Sequence, residues 1–101
     1  MLTLFEEVVD FINLDIGKLD KLDINIINLN LLKDLYYFIK EKDNLSLEYS
    51  IKDNYRITFS ISENDDKIIS GSIVIDEKNI IWVNLLNWKD NNENFFKYKL
   101  C

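Results

Sequence analysis

The chain contains no proline, histidine, alanine or glutamine, and only one cysteine, one methionine, one arginine and two glycines. Each shortage closes something off. Without histidine, neither a Ser-His-Asp nor a Cys-His constellation can be assembled, and the commonest general base is missing. Zinc loses its usual ligand set. Gly17 and Gly71 alone cannot form a phosphate-cradling loop. Ser70-Gly71-Ser72 falls inside a strand pattern, away from any strand-to-helix turn where a nucleophile elbow would sit.

Cys101 is the last residue and has no internal partner, which fits a reducing, cytoplasmic setting. No apolar run reaches the length of a membrane span, and "MLTLFEEVVDF" at the start carries acids where a signal peptide carries bases. With alanine and proline absent, helices must rest on Leu and Ile patterning and turns on Asn and Asp. Heavy use of Ile, Asn, Lys and Asp is the mark of an AT-rich genome and carries no mechanism.

What is present suffices for a core. The 101 residues are 48% hydrophobic and 13% aromatic, and they read as a single domain over 1–101. Net charge is -6 and is unevenly placed. Residues 1–28 hold Glu6, Glu7, Asp10, Asp15, Asp20 and Asp23 against Lys18 and Lys21. Such a chain repels nucleic acid and anionic membrane, so the partner expected is a basic or nucleic-acid-handling protein.

Thr3-Leu4-Phe5-Glu6 has the spacing of a capping box, and Phe5, Val8, Val9 and Ile12 recur on one helical face. A helix is expected over 4–13, with Glu6, Glu7 and Asp10 outward. Over 14–28 we expect a loop and a short strand or turn at Leu22–Ile27. "LDKLDINIIN" fits a leucine-rich repeat once, with no second copy to make a solenoid. A second helix is expected from Asn28 or Asn30, through Leu32, Leu35, Tyr36 and Ile39, to about residue 43.

Beyond that, alternation marks strands at Leu45–Ile51, Tyr55–Ser62, Lys67–Ile75, Asn79–Leu86 and Asn94–Leu100. The fold class expected is α+β, with two N-terminal helices on one face of a four- to five-stranded antiparallel meander. Odd-numbered side chains from Leu45 to Ile75 should face the helices. Pairing Ile51 with Tyr55 sets Tyr49 against Ile57 and Leu47 against Phe59. Ile61 then meets Ile69 and Phe59 meets Gly71, while Gly71 meets Val83 and Ile73 meets Ile81.

In this register the other face carries two rows, Glu48-Thr58-Ser72-Trp82 and Ser46-Ser60-Ser70-Asn84. They form a hydroxyl floor that rises to Ile68, Val74, Ile80 and Leu86 around Trp82. Arg56 lies diagonal to Glu48, as a cross-strand ion pair or an interfacial anchor. Cover for the Trp82 patch could come from residues 14–28, a second copy or another protein.

The loop 90–94 spaces Asp90, Asn92 and Asn94 like calcium ligands, but Phe95 and Cys101 stand where an EF-hand needs Gly and Glu. No metal, cofactor or catalytic group is expected. The function expected is that of a small acidic inhibitor occluding a basic surface, in the manner of toxin immunity proteins or phage anti-CRISPR-type proteins. Its contacts would be Glu6, Glu7, Asp10, Asp65 and Asp66, with Glu48, Arg56 and Trp82 on the open sheet. The alternatives are a small-ligand module on that open face and a homodimeric structural subunit.

Overall fold

The computed structural model describes residues 2–21, 23–53 and 55–100. Two helices, α1 (Leu4–Leu19) and α2 (Ile24–Lys40), precede five strands. These are β1 (Leu45–Asp53), β2 (Arg56–Glu63), β3 (Asp66–Ile75), β4 (Ile80–Asn87) and β5 (Asn92–Lys99). The strands form one antiparallel sheet in chain order, with β5 at the edge beside β4. The helices bury their apolar stripes against one sheet face, which is the α+β arrangement the patterning predicts.

Helix α1 starts at the expected cap. Thr3 Oγ1 accepts from the Glu6 amide at 3.2 Å, and Glu6 Oε1 accepts from the Thr3 amide at 3.4 Å. It does not stop at residue 13. Val8, Ile12, Ile16 and Leu19 are all buried, so one stripe runs to the helix end and carries exposed Gly17 along with it. Helix α2 likewise starts earlier, at Ile24, and the Ile26 amide bonds the Asp23 carbonyl at 3.0 Å. Its buried stripe is Ile27, Leu31, Leu35 and Ile39.

The loop and short strand expected over 14–28 are therefore largely helix. Ile16, Leu19 and Ile27 complete helical periods that the surrounding Asn and Asp disguise. Leu22 lies outside the described residues. Between the helices, Phe11 and Phe38 stack with centroids 4.4 Å apart.

The sheet contributes Ile57, Phe59, Ile61, Ile69, Ile73, Ile81, Val83 and Leu85 to the core. Strands β2 and β3 pair as expected, Ile61 with Ile69 and Phe59 with Gly71. The Phe59 ring occupies the space over the glycine: a Cβ on Gly71 would lie 2.6 Å from Phe59 Cζ and from Leu85 Cδ2.

Two other registers differ from expectation by two residues. Strand β1 sets Ile51 against Ile57, Tyr49 against Phe59 and Leu47 against Ile61. The cause is a tighter turn together with a bulge between Ile51 and Asp53: Asp53 pairs with Arg56, and Asp53 Oδ1 accepts from the Tyr55 amide at 2.8 Å. Asn54 is outside the described residues. Strand β4 sets Val83 against Ile73 and Leu85 against Gly71. Its turn is again held by an aspartate, with Asp76 Oδ1 accepting from the Lys78 and Ile80 amides at 2.8 and 3.1 Å. Both slips are even, so from Leu45 to Ile51 and along β4 they leave each side chain on its expected face; Asp53, past the bulge, pairs with Arg56 instead.

A bulge between Ile61 and Ser62 is what moves a side chain across. It turns Ile68 into the core and leaves Lys67 exposed, against the expected alternation. On β1, Tyr49 and Ile51 share the helix-facing parity but remain exposed.

Candidate functional site

Alternate turns of a meander share an end. The β2–β3 and β4–β5 turns lie where β1 begins, and α1 starts there too. Thr3, Leu4 and Phe5 line a cleft with Glu63, Lys89 and Asp90, and Glu7 Oε2 is 3.2 Å from Lys42 Nζ. The β2–β3 turn closes with Asn64 and Asp65 both left-handed, at φ 51° and 71°, the geometry of a tight hairpin.

Glu6 and Glu7 are thereby brought to the same end as Asp65 and Asp66. With them stand Glu41, Asp43, Glu63, Asp90 and Glu93, against Lys40, Lys42, Lys67 and Lys89. At the opposite end, Asp20, Asp23, Asp53, Asp76 and Glu77 are outnumbered by Lys18, Lys21, Lys52, Arg56, Lys78, Lys97 and Lys99. The molecule is polarised along its strands. Asp10 is exposed further along α1. Two acids of the end are ion-paired, Glu7 with Lys42, and Glu63 with Lys89 at 3.5 Å.

The open sheet face holds the remaining candidates, in different rows from those expected. One row is Glu48-Ser60-Ser70-Leu86-Glu93, and the next is Ser50-Thr58-Ser72-Asn84-Phe95. A third is Arg56-Val74-Trp82-Lys97. Arg56 therefore lies two rows from Glu48 and cannot be its diagonal partner. It sits instead between Asp53 and Val74.

Small hydroxyl residues on β2 and β3 between taller neighbours leave a trough of about 580 Å³. Its lining includes Thr58, Ser60, Ser70, Ser72, Asn84, Leu86 and Lys67. Asn84 Oδ1 is buried there with no hydrogen-bond partner in the protein.

Trp82 points outward as expected. Its Nε1 donates to Asp76 Oδ2 at 2.7 Å, its ring lies 5.7 Å from Phe95, and Lys97 Nζ stands 5.4 Å from its centroid. That Trp82 hydrogen bond, with the Ile80 amide, holds the Asp76 carboxyl below the usual carboxylate range. The patch around Trp82 is smaller than expected, because Ile68 is in the core and Val74, Ile80 and Leu86 are half-buried. Residues 14–28 do not cover it: their helical parts lie on the opposite side of the sheet.

Three features escape the sequence reading. Trp88, placed in a polar loop, reaches back over the sheet and donates from Nε1 to Ser70 Oγ at 3.0 Å. Phe95 is 60% exposed beside Trp82. Asp15 is buried with its Oδ2 lacking a hydrogen-bond partner in the protein, and its carboxyl is raised by burial, then by the neighbouring Asp34. Its signal was available, since Asp15 falls on the Ile12-Ile16-Leu19 stripe.

Among the described residues, no group of three or more Cys, Asp or Glu is gathered as a metal site, and no helix is long and apolar enough to cross a membrane. Comparison with known proteins gives no match to any family model, curated protein or solved structure.

Proposed function

We propose that the protein is a stoichiometric inhibitor, docking its acidic end on a basic functional surface of a partner protein and occluding it. The partner chemistry is that of a surface evolved to hold phosphates, as on a nuclease-like toxin or a bacterial defence effector such as a CRISPR nuclease. The observation that supports this is the convergence of Glu6 and Glu7 with Asp65 and Asp66 at one pole of the molecule. Carboxylates held on a cap, a tight turn and a helix end form a fixed array, which steers association toward a basic patch.

The test starts from capture by the immobilised full chain, followed by activity assay of the captured protein on nucleic acid. The expected result is inhibition that saturates at equal stoichiometry and weakens steeply near about 0.5 M salt, where screening lengths fall to a few Å. Asp43→Lys with Asp66→Lys, both at exposed positions, should abolish inhibition without lowering the melting temperature. Undiminished inhibition by that variant overturns the reading.

A second reading has one specific observation behind it. The hydroxyl trough with the unpartnered Asn84 Oδ1 suits a small polar ligand that donates hydrogen bonds and stacks an apolar face on Leu86, as a sugar does. Thermal stabilisation by a mono- and oligosaccharide panel, lost in Asn84→Leu, would favour it over protein docking.

A further inference from the structure

Exposed apolar side chains concentrate along the β1 edge. Tyr49 and Ile51, on the helix-facing side of β1, are 56% and 42% exposed. Across a groove of about 430 Å³ they face Leu29, Tyr36 and Tyr37 of α2, which are exposed as well. Strand β1 is also an outer strand, bonded to β2 on one side only. The Asn64 amide donates to the Asn44 carbonyl at 3.2 Å, so even-numbered residues of β1 bond β2 in the alternating ladder. The backbone groups of Leu47, Tyr49 and Ile51 therefore point away from the sheet.

The free strand is regular from Leu45 to Ile51 and bulges between Ile51 and Asp53, and its regular part, beside such a groove, carries neither the proline nor the inward charge with which sheets otherwise blunt an edge. The opposite edge differs. On β5, Phe96 and Tyr98 pack against the core, and Lys97 and Lys99 stand along the strand.

We propose that β1 pairs antiparallel with β1 of a second copy about a two-fold axis at Ser50, joining the two sheets into one and closing the two α2–β1 grooves on each other. The register follows from side-chain complementarity. Opposed residues of an antiparallel pair share a face, and symmetry makes every contact twice. Centred on Ser50, Tyr49 meets Ile51 within the regular ladder on the helix face, and Glu48 comes opposite Lys52 of the second copy, the exposed residue at the bulge that follows Ile51. Centring on Tyr49 instead sets Glu48 against Ser50, and centring on Glu48 sets that carboxylate against itself. Charge therefore selects the Ser50 axis. Because the axis is perpendicular to the sheet, both helix layers stay on one side and the α2 helices become neighbours. The acidic ends remain free, so this assembly and the proposed docking are separable.

The test is sedimentation velocity of the full chain from low to high micromolar concentration, with circular dichroism to verify folding of each variant. The wild-type chain should move from one-chain to two-chain mass. Glu48→Lys and Lys52→Glu should each weaken association by about tenfold, since each converts two attractive pairs into two repulsive ones. The double swap E48K/K52E should recover wild-type association, which no general loss of packing would do. Tyr49→Lys should give one-chain mass throughout, and Phe95→Lys on β5 should change nothing. One-chain mass for the wild type at every concentration, a dimer indifferent to E48K and K52E, or a dimer lost in F95K overturns the proposal.

Discussion

The indole of Trp82 is tied to Asp76 by a 2.7 Å hydrogen bond, so the centre of the open face is fastened to the β3–β4 turn. The same carboxylate accepts from the Lys78 and Ile80 amides. Asp76→Ala should lower the melting temperature and shift Trp82 emission to the red, measured in a Trp88→Phe background that leaves one indole. The pH dependence has a definite sign. A carboxyl held below its ordinary 3.8 contributes stability above that value and loses it as pH falls through the lowered pKa. Acid titration of the emission should show this step, and Asp76→Asn should remove it.

The Asp15 carboxyl behaves in the opposite sense. Burial between α1 and α2, followed by the neighbouring Asp34, raises it from 3.8 to about 7, with Lys18 opposing. Between those values the folded state holds a proton that the unfolded chain has released, so stability falls as pH rises through that window. Asp15→Asn mimics the protonated form. It should flatten denaturant midpoints between pH 4 and 7 and exceed the wild type above pH 7. A variant that tracks the wild-type pH profile would show that the Asp15 carboxyl does not hold its proton through that window.

Gly71→Ala places a methyl 2.6 Å from both Phe59 and Leu85, two buried side chains that would have to shift. The cost should be about 1–3 kcal/mol by urea unfolding, with no change in the slope. Pairing it with Phe59→Leu, which removes the ring that covers the glycine, should recover part of that loss, and strict additivity would mean that the contact is not the cause.

The polarised charge has a consequence that needs no partner. Acids gathered at one end repel one another, so moderate salt should raise the melting temperature. Asp43→Lys with Asp66→Lys should raise it by about 1–4 °C at low salt, with the gap closing as salt is added. An identical difference at high salt would point to local turn effects instead.

How far the sequence could be read depended on the scale of the rule applied. Face assignment rests on parity, and parity survived both register slips, which is why Trp82, Thr58 and Ser72 lie where alternation puts them. Register itself depends on turn chemistry. Asp53 and Asp76 each fold their carboxylates onto amides further along the turn, and this shortens or reshapes loops in ways that residue spacing does not reveal. Ile68 was misplaced because a bulge is a local exception to a period-two rule. The helices were underestimated for another reason. Asn- and Asp-rich stretches have poor intrinsic propensity, but Ile16, Leu19 and Ile27 gain more from burial than the propensity loses. The acidic end could not be read at all from residue spacing, since it joins Glu6 to Asp66 through the topology.

Strand order that simply repeats chain order has a kinetic meaning. Every ladder in the sheet joins neighbours in sequence, so each hairpin can zip onto the last without a long segment first having to close. Folding should then be quick for a β-rich chain. The helices, made first, would hold their Ile and Leu stripes bare until β2 and β3 arrive, and that brief interval is when the nascent polypeptide is most open to aggregation.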